Sequence, residues 1–152
     1  MGSLPSCTTQ KTCTLIGCSD ALTLNLSLPS GEKPNINVDL MIDGTAVSCP
    51  ALGDRPSATC AGNVTSTMVE GQTCTQTQQA GTVTQTCTGN GIFHLRIEVP
   101  GTPKSVSYTA NLNGAVVGQD SLSPTFQSVN PNGPGCDPAC KQATADVTLV
   151  TP

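Results

Sequence analysis

The residues of this chain that could carry out the most kinds of chemistry are its nine cysteines and its single histidine. Thiolates bind metals or attack substrates, whereas pairs of thiols oxidise to disulfides. Any Ser-His-Asp or Cys-His site would have to use His94, because the chain has no other histidine. So many cysteines with so few other metal-binding partners indicate disulfides. Disulfides persist in oxidising compartments, so we expect an extracellular, periplasmic or outer-cell-surface protein.

Eight of the cysteines are disulfide candidates, because their spacing would let them meet within the roughly 7 Å that bridged Cα atoms allow. Cys74 and Cys87 would face each other across a hairpin, and Cys49 with Cys60 would close a loop. The first two candidates would pair with the last two, in an order that the sequence does not fix. The candidates are Cys13, Cys18, Cys49, Cys60, Cys74, Cys87, Cys136 and Cys140.

Zinc is the alternative for four of these cysteines. Cys136 and Cys140 form a C-x₃-C pair that could join Cys13 and Cys18 in a Cys₄ site. The more usual knuckle is C-x₂-C, and the composition favours an oxidising compartment, so we predict disulfides, no metal and no cofactor.

Cys7 is left over from this pairing and is a candidate free thiol or lipid anchor. The run Leu4-Pro5-Ser6-Cys7 is similar to a bacterial lipobox, although Pro5 departs from the usual pattern. We expect residues 1–12 to be a tag remnant followed by a loose segment, and residues 13–152 to form one domain.

A catalytic set is hard to assemble from the remaining residues. His94 lies within an alternating strand pattern, on the side away from Phe93 and Leu95, where a solvated histidine is expected. No G-x-S-x-G, H-E-x-x-H or P-loop pattern occurs, and the ten acidic residues form no cluster that would serve a glycosidase. We therefore predict that the protein is not an enzyme.

Composition and charge narrow the range of partners. The net charge is −4 and the six basic residues are scattered, which argues against nucleic acid. No segment has the length of a membrane helix, so membrane contact is expected only through a lipid. Aromatic residues make up only 2% of the chain, so the core must be aliphatic, and an aromatic platform for sugars is hard to build.

Alternating apolar residues and turn signals predict about eight or nine short strands and no helix. Asp43-Gly44 and Asn113-Gly114 each separate two alternating runs, as type I′ hairpin turns do. Residues 64–69, 73–88 and 92–99 are predicted as separate elements, the middle one a threonine-rich hairpin. The fold expected is all-β, an antiparallel two-sheet sandwich, Ig-like or transthyretin-like, stapled by disulfides, with a small β-barrel as the alternative.

Two stretches resemble domains of uncharacterised bacterial surface lipoproteins. They are Ile16-Gly17-Cys18-Ser19-Asp20 and the Pro/Gly/Cys-rich run at residues 130–140, with a threonine- and cysteine-rich composition between them. The resemblance implies an exported β-sandwich and carries over no catalytic residue.

These observations predict a non-enzymatic extracellular module of a bacterial surface protein, with a structural or protein-binding role and a protein or cell-surface partner. A carbohydrate-binding module is one alternative. An extracellular protease inhibitor is the other, using the loop between Cys49 and Cys60, which carries Arg55-Pro56. The sequence leaves the oligomeric state open.

Overall fold

A computed structural model describes residues 13–28 and 33–150 of the chain. These residues form β-strands joined by turns, with a 3₁₀ turn at Ala61–Asn63, and no helix among them has the length and apolar character to cross a membrane. Cys7 and the expected tag remnant lie outside the described residues. The strands are β1 (Ala21–Ser27), β2 (Asn37–Ile42), β3 (Thr45–Cys49), β4 (Ser57–Thr59), β5 (Thr65–Gln79), β6 (Thr82–Pro100), β7 (Val106–Leu112), β8 (Ala115–Leu122), β9 (Gln127–Val129) and β10 (Cys140–Thr148).

The strands form two sheets packed together. This confirms the predicted disulfide-stapled β-sandwich, and the alternative prediction of a small β-barrel is wrong. One sheet has the order β4-β5-β6-β1-β10-β9, and the other has the order β3-β2-β7-β8. Neighbouring strands run antiparallel except β1 and β10, which are parallel. The chain therefore closes by placing its last strand beside its first.

The core lies between the sheets and is built from the alternating positions that the sequence predicts. In β1, Leu22, Leu24 and Leu26 are buried, and their neighbours in β6 are the buried Val99, Ile97 and Leu95 in turn. Successive side chains of a strand point to opposite faces, so one apolar face of each strand is enough to fill the core. The second sheet covers this face with the buried residues Val38, Leu40, Val106, Tyr108 and Ala110.

Two predicted turns have the backbone that a type I′ hairpin requires. Asp43 and Gly44 have φ of 46° and 86°, and Asn113 and Gly114 have φ of 52° and 81°. The Asp43 carboxylate also accepts hydrogen bonds of 2.9 Å from the backbone N–H groups of Lys104 and Ser105. This contact fixes the β2–β3 turn to the loop before β7.

One region differs from the sequence prediction. Residues 64–69, 73–88 and 92–99, predicted as separate elements, are joined in the two longest strands, β5 with 15 residues and β6 with 19. Glycines interrupt the apolar pattern between these runs. The strands nevertheless continue through them, because β5 and β6 stay paired on both sides of a shift in register between Glu70 and Gln72.

Candidate functional site: a hairpin arm

The outer part of the β5–β6 hairpin projects beyond the sandwich. We call residues 71–92 the arm. Every arm residue except the half-buried Gly71 is exposed, and the two strands of the arm pair only with each other. The body strands β4 and β1 accompany the hairpin only as far as Thr67 and His94. The arm is therefore an ordered two-stranded ribbon that adds nothing to the core.

The two faces of the arm differ in chemistry. Strand register places Thr73 opposite Thr88, and the same face continues with further threonines to the tip. The other face carries the Cys74–Cys87 disulfide, followed by Gln76 opposite Gln85 and Gln78 opposite Val83. The threonine face is completed by Thr75, Thr77, Thr82, Thr84 and Thr86, with Gln79 opposite Thr82 at the tip.

The disulfide also shows which backbone groups face outward. The Cα atoms of Cys74 and Cys87 are 4.1 Å apart, close to the spacing of about 4.5 Å in a non-hydrogen-bonded antiparallel pair. Pairs alternate along the ribbon, so Gln76 with Gln85 and the pair Gln78 with Val83 are of the same kind. The N–H and C=O groups of these residues point away from the hairpin, so each edge of the arm presents unpaired donors and acceptors.

A glycine-rich joint connects the arm to the body. Residues 90–92 of β6 lie opposite Gly71 alone, which makes a bulge where the arm begins. The Glu70 carboxylate accepts a hydrogen bond of 2.9 Å from the N–H of Gly91, whose φ is 74°. It also occupies the place that a Cβ of residue 89 would take, so a side chain at position 89 would displace the Glu70 carboxylate. Bulges re-aim a strand, so this joint sets the direction of the arm.

Charge is distributed unevenly between arm and body. No Asp, Glu, Lys or Arg occurs between Glu70 and Arg96. All of the formal charge therefore lies in the body and the terminal segments, and the arm offers only hydroxyl, amide and backbone groups. The threonine-rich hairpin was predicted from the sequence, but its projection beyond the sandwich was not. The available signal was the run from Gln72 to Gly91, where polar residues fill both alternating faces.

The eight candidate cysteines all lie in disulfides. Cα–Cα distances are 5.7 Å for Cys13 with Cys136, 5.6 Å for Cys18 with Cys140, and 5.1 Å for Cys49 with Cys60. The sulfurs considered for a Cys₄ zinc site are therefore bonded to one another. In residues 13–28 and 33–150 no group of three or more His, Cys, Asp or Glu side chains could hold a metal.

A buried amide organises the segment between the two terminal disulfides. Asn132 is 4% exposed, and its Oδ1 accepts hydrogen bonds from the Thr14 hydroxyl at 2.8 Å and the Ile16 N–H at 2.7 Å. Its Nδ2 donates to the carbonyl oxygens of Ile16 and Asp137. One side chain thus holds residues 14–16 against the 130–140 crossover.

The other residues considered for chemistry do not converge. His94 is half-buried in β6, where its backbone neighbours are Ser27 and Val69, and no described carboxylate or thiol hydrogen-bonds to its ring. Arg55 lies exposed on the loop that the Cys49–Cys60 disulfide closes, as the inhibitor hypothesis requires.

The three aromatic residues lie in or against the body. Tyr108 is buried, whereas Phe93 and Phe126 are half-buried. Burial raises the pKa of the Tyr108 phenol above its ordinary value, and the nearby Asp120 carboxylate raises it further. None of the three presents a fully exposed ring on which a sugar could stack.

A shallow depression of about 390 Å³ lies on the outside of the four-stranded sheet. Asp39, Met41, Ser48, Ser107 and Thr109 are among the residues that line it. The Asp39 carboxylate accepts a hydrogen bond of 2.6 Å from the Ser48 hydroxyl. No nucleophile, base and oxyanion donors meet there.

Comparison of the chain with protein-family models, with curated proteins and with solved structures found no significant match.

Proposed function

We propose that this chain is a non-enzymatic, extracellular module of a bacterial surface protein and that it binds a protein partner through the arm. The observation that carries the proposal is the arm itself, an ordered ribbon whose residues are exposed almost throughout. An isolated two-stranded hairpin is marginally stable in water. The arm is such a hairpin, held outside the core by the body. Binding residues commonly lie on surface segments that a rigid scaffold positions, and this is the role that we assign to the arm.

The open edges of the arm suit recognition of an extended backbone. A strand edge with unpaired N–H and C=O groups accepts another strand, whose side chains then supply specificity. Natural sheets usually protect such edges with Lys, Pro or an inward-pointing charge. The arm has none of these between Gly71 and Gly91, so its edges are open to a partner strand.

The disulfides and the lone histidine support the rest of the proposal. Four disulfides suit an oxidising, extracellular or periplasmic environment. His94, which any Ser-His-Asp or Cys-His mechanism in this chain would have to use, makes no hydrogen bond to a carboxylate or thiol among the described residues.

A shortened arm tests the binding role. We would replace residues 74–87 with Asn-Gly, so that Thr73 and Thr88, a hydrogen-bonded pair like Gln79 and Thr82, flank the new type I′ turn. The full chain and this variant are each immobilised and exposed to surface proteins extracted from the bacterium that makes the chain. We expect specific proteins on the full chain at least tenfold above the variant.

Three results would contradict the proposal. The first is the recovery of the same surface proteins by both chains, and the second is glycan binding that survives shortening of the arm. The third is turnover, in a panel of ester, amide, glycoside and phosphoester substrates, that a His94→Ala substitution abolishes.

A further inference from the structure

We infer that the partner strand is the arm of a second copy of this chain, paired antiparallel along the outer edge of β6. This inference rests on the proposed binding role of the arm and names its partner. Two identical arms, related by a twofold axis that passes between their Gln85 residues, would form one four-stranded sheet.

The outward backbone groups of β6 are self-complementary in this register. Gln85 would face Gln85 of the second copy, and Val83 would face Cys87. These are the residues whose N–H and C=O groups point away from the hairpin, so each facing pair exchanges both N–H···O bonds. A two-stranded hairpin alone is marginally stable in water, and the pairing would place each arm in a sheet of four strands.

The side chains also match across this edge. Facing residues of an antiparallel pair lie on the same side of the sheet, so Thr84 would lie beside Thr86 of the other copy, and the two threonine faces would become one. Cross-strand threonine pairs of this kind are favourable. On the opposite face Val83, which is 60% exposed in the single chain, would pack on the Cys74–Cys87 disulfide of the other copy.

The β5 edge is the less favourable choice. A twofold axis through Gln76 would place Gln78 against Cys74, so an amide would cover the disulfide and Val83 would stay exposed. The β6 edge is therefore the one whose pairing would cover Val83.

Charge and length make a second copy acceptable. The chain carries a net charge of −4, but the paired segments carry none. In this register Gly81 at the tip of one arm lies level with Gly89 at the joint of the other. The joints are then about 26 Å apart, at roughly 3.3 Å per residue. That distance exceeds the Debye length of about 8 Å at physiological ionic strength, so repulsion between the bodies is largely screened.

A charge-swap experiment tests the pairing. Gln85→Lys and Gln85→Glu each place like charges face to face on the twofold axis, whereas an equimolar mixture places opposite charges there. Gln76→Lys is the matched control on the other edge, since it adds the same charge to the same face of the arm. Sedimentation velocity from about 1 to 300 µM measures self-association of the 15.4 kDa chain and its variants.

We expect the unsubstituted chain and Gln76→Lys to dimerise. Each Gln85 variant alone should associate at least tenfold more weakly, and their mixture should recover dimers. A monomeric unsubstituted chain at 300 µM, equal loss in Gln76→Lys and Gln85→Lys, or no recovery in the mixture would overturn the inference. The chain could be monomeric while the variant with the shortened arm still recovers fewer surface proteins than the full chain. The binding role then stands, and only the second copy is wrong as the partner.

Discussion

The body and the arm are both built from antiparallel strands, yet they are held together by different forces. In the body, leucine, isoleucine and valine side chains on facing sheets leave water, and this burial drives folding. In the arm almost every residue is exposed, so only backbone hydrogen bonds, threonine pairs and one disulfide maintain the ribbon. The same secondary structure is thus stabilised by burial in one region and by a covalent tie in the other.

This difference explains where variation should be costly. Changing an apolar side chain in the body leaves a cavity, whereas the same change in the arm of a single chain removes a side chain that lies mostly in water. In the arm the important atoms are the two sulfurs and the outward backbone groups. Order without burial leaves the arm surface available for contact.

The largest expected effect is the contrast between two truncations of apolar side chains. Leu24→Ala removes a fully buried side chain from β1 and should lower the free energy of unfolding by about 2–5 kcal/mol. Val83→Ala in the arm should change it by less than about 0.5 kcal/mol. Urea unfolding of both variants, at a concentration where the chain is monomeric, measures the difference, and similar losses in the two would show that the arm packs on apolar surface of its own body.

The next effect concerns the staple of the arm. Replacing both Cys74 and Cys87 with serine removes a disulfide that stabilises the arm by about 2–4 kcal/mol. This exceeds the stability of a marginally stable two-stranded hairpin. Amide hydrogen exchange in the arm should accelerate at least tenfold, while exchange in β1, β2 and β7 stays unchanged. The matched control replaces Cys49 and Cys60 with serine and should leave the arm protected. Arm exchange equal to that of the unsubstituted chain would contradict this account.

The smallest effect is a pH dependence that belongs to the body alone. Burial, with a further contribution from Asp120, raises the pKa of Tyr108 above its ordinary value of 10.0. The unfolded chain therefore loses its phenolic proton first, and stability should fall as the pH rises from about 10 toward the folded pKa. Ultraviolet difference absorbance measures this pKa directly, because Tyr108 is the only tyrosine and there is no tryptophan.

Two substitutions separate the causes of that shift. Asp120→Asn should lower the Tyr108 pKa partway, since desolvation by burial remains. Tyr108→Phe should remove this part of the loss of stability above pH 10. An absorbance titration with a midpoint at or below 10.0 would contradict the burial of the phenol.

Local parts of the fold were readable from single residues and their spacing. Alternating apolar residues predicted the strands, and Asp43-Gly44 and Asn113-Gly114 predicted their hairpins. These inferences held because turn geometry and side-chain alternation depend on neighbouring residues in the chain.

Other parts depended on contacts between distant residues. The parallel pairing of β1 with β10 joins positions more than 100 residues apart, such as Leu22 and Ala143, and no local pattern specifies it. The pairing of Cys13 with Cys136, and not with Cys140, likewise follows from how the crossover lies. The candidate site could not be predicted for the same reason, since a polar hairpin has the same sequence pattern whether it lies on a sheet or projects from it.

By itself the sequence determined that this chain is a β protein with an aliphatic core and cysteines spaced for disulfides, because alternation, turn residues and composition act over short distances. Only the tertiary structure decided which strands meet, how the terminal cysteines pair and that the threonine hairpin leaves the body. Those outcomes depend on which apolar faces cover one another, and a hairpin with no apolar face is left outside.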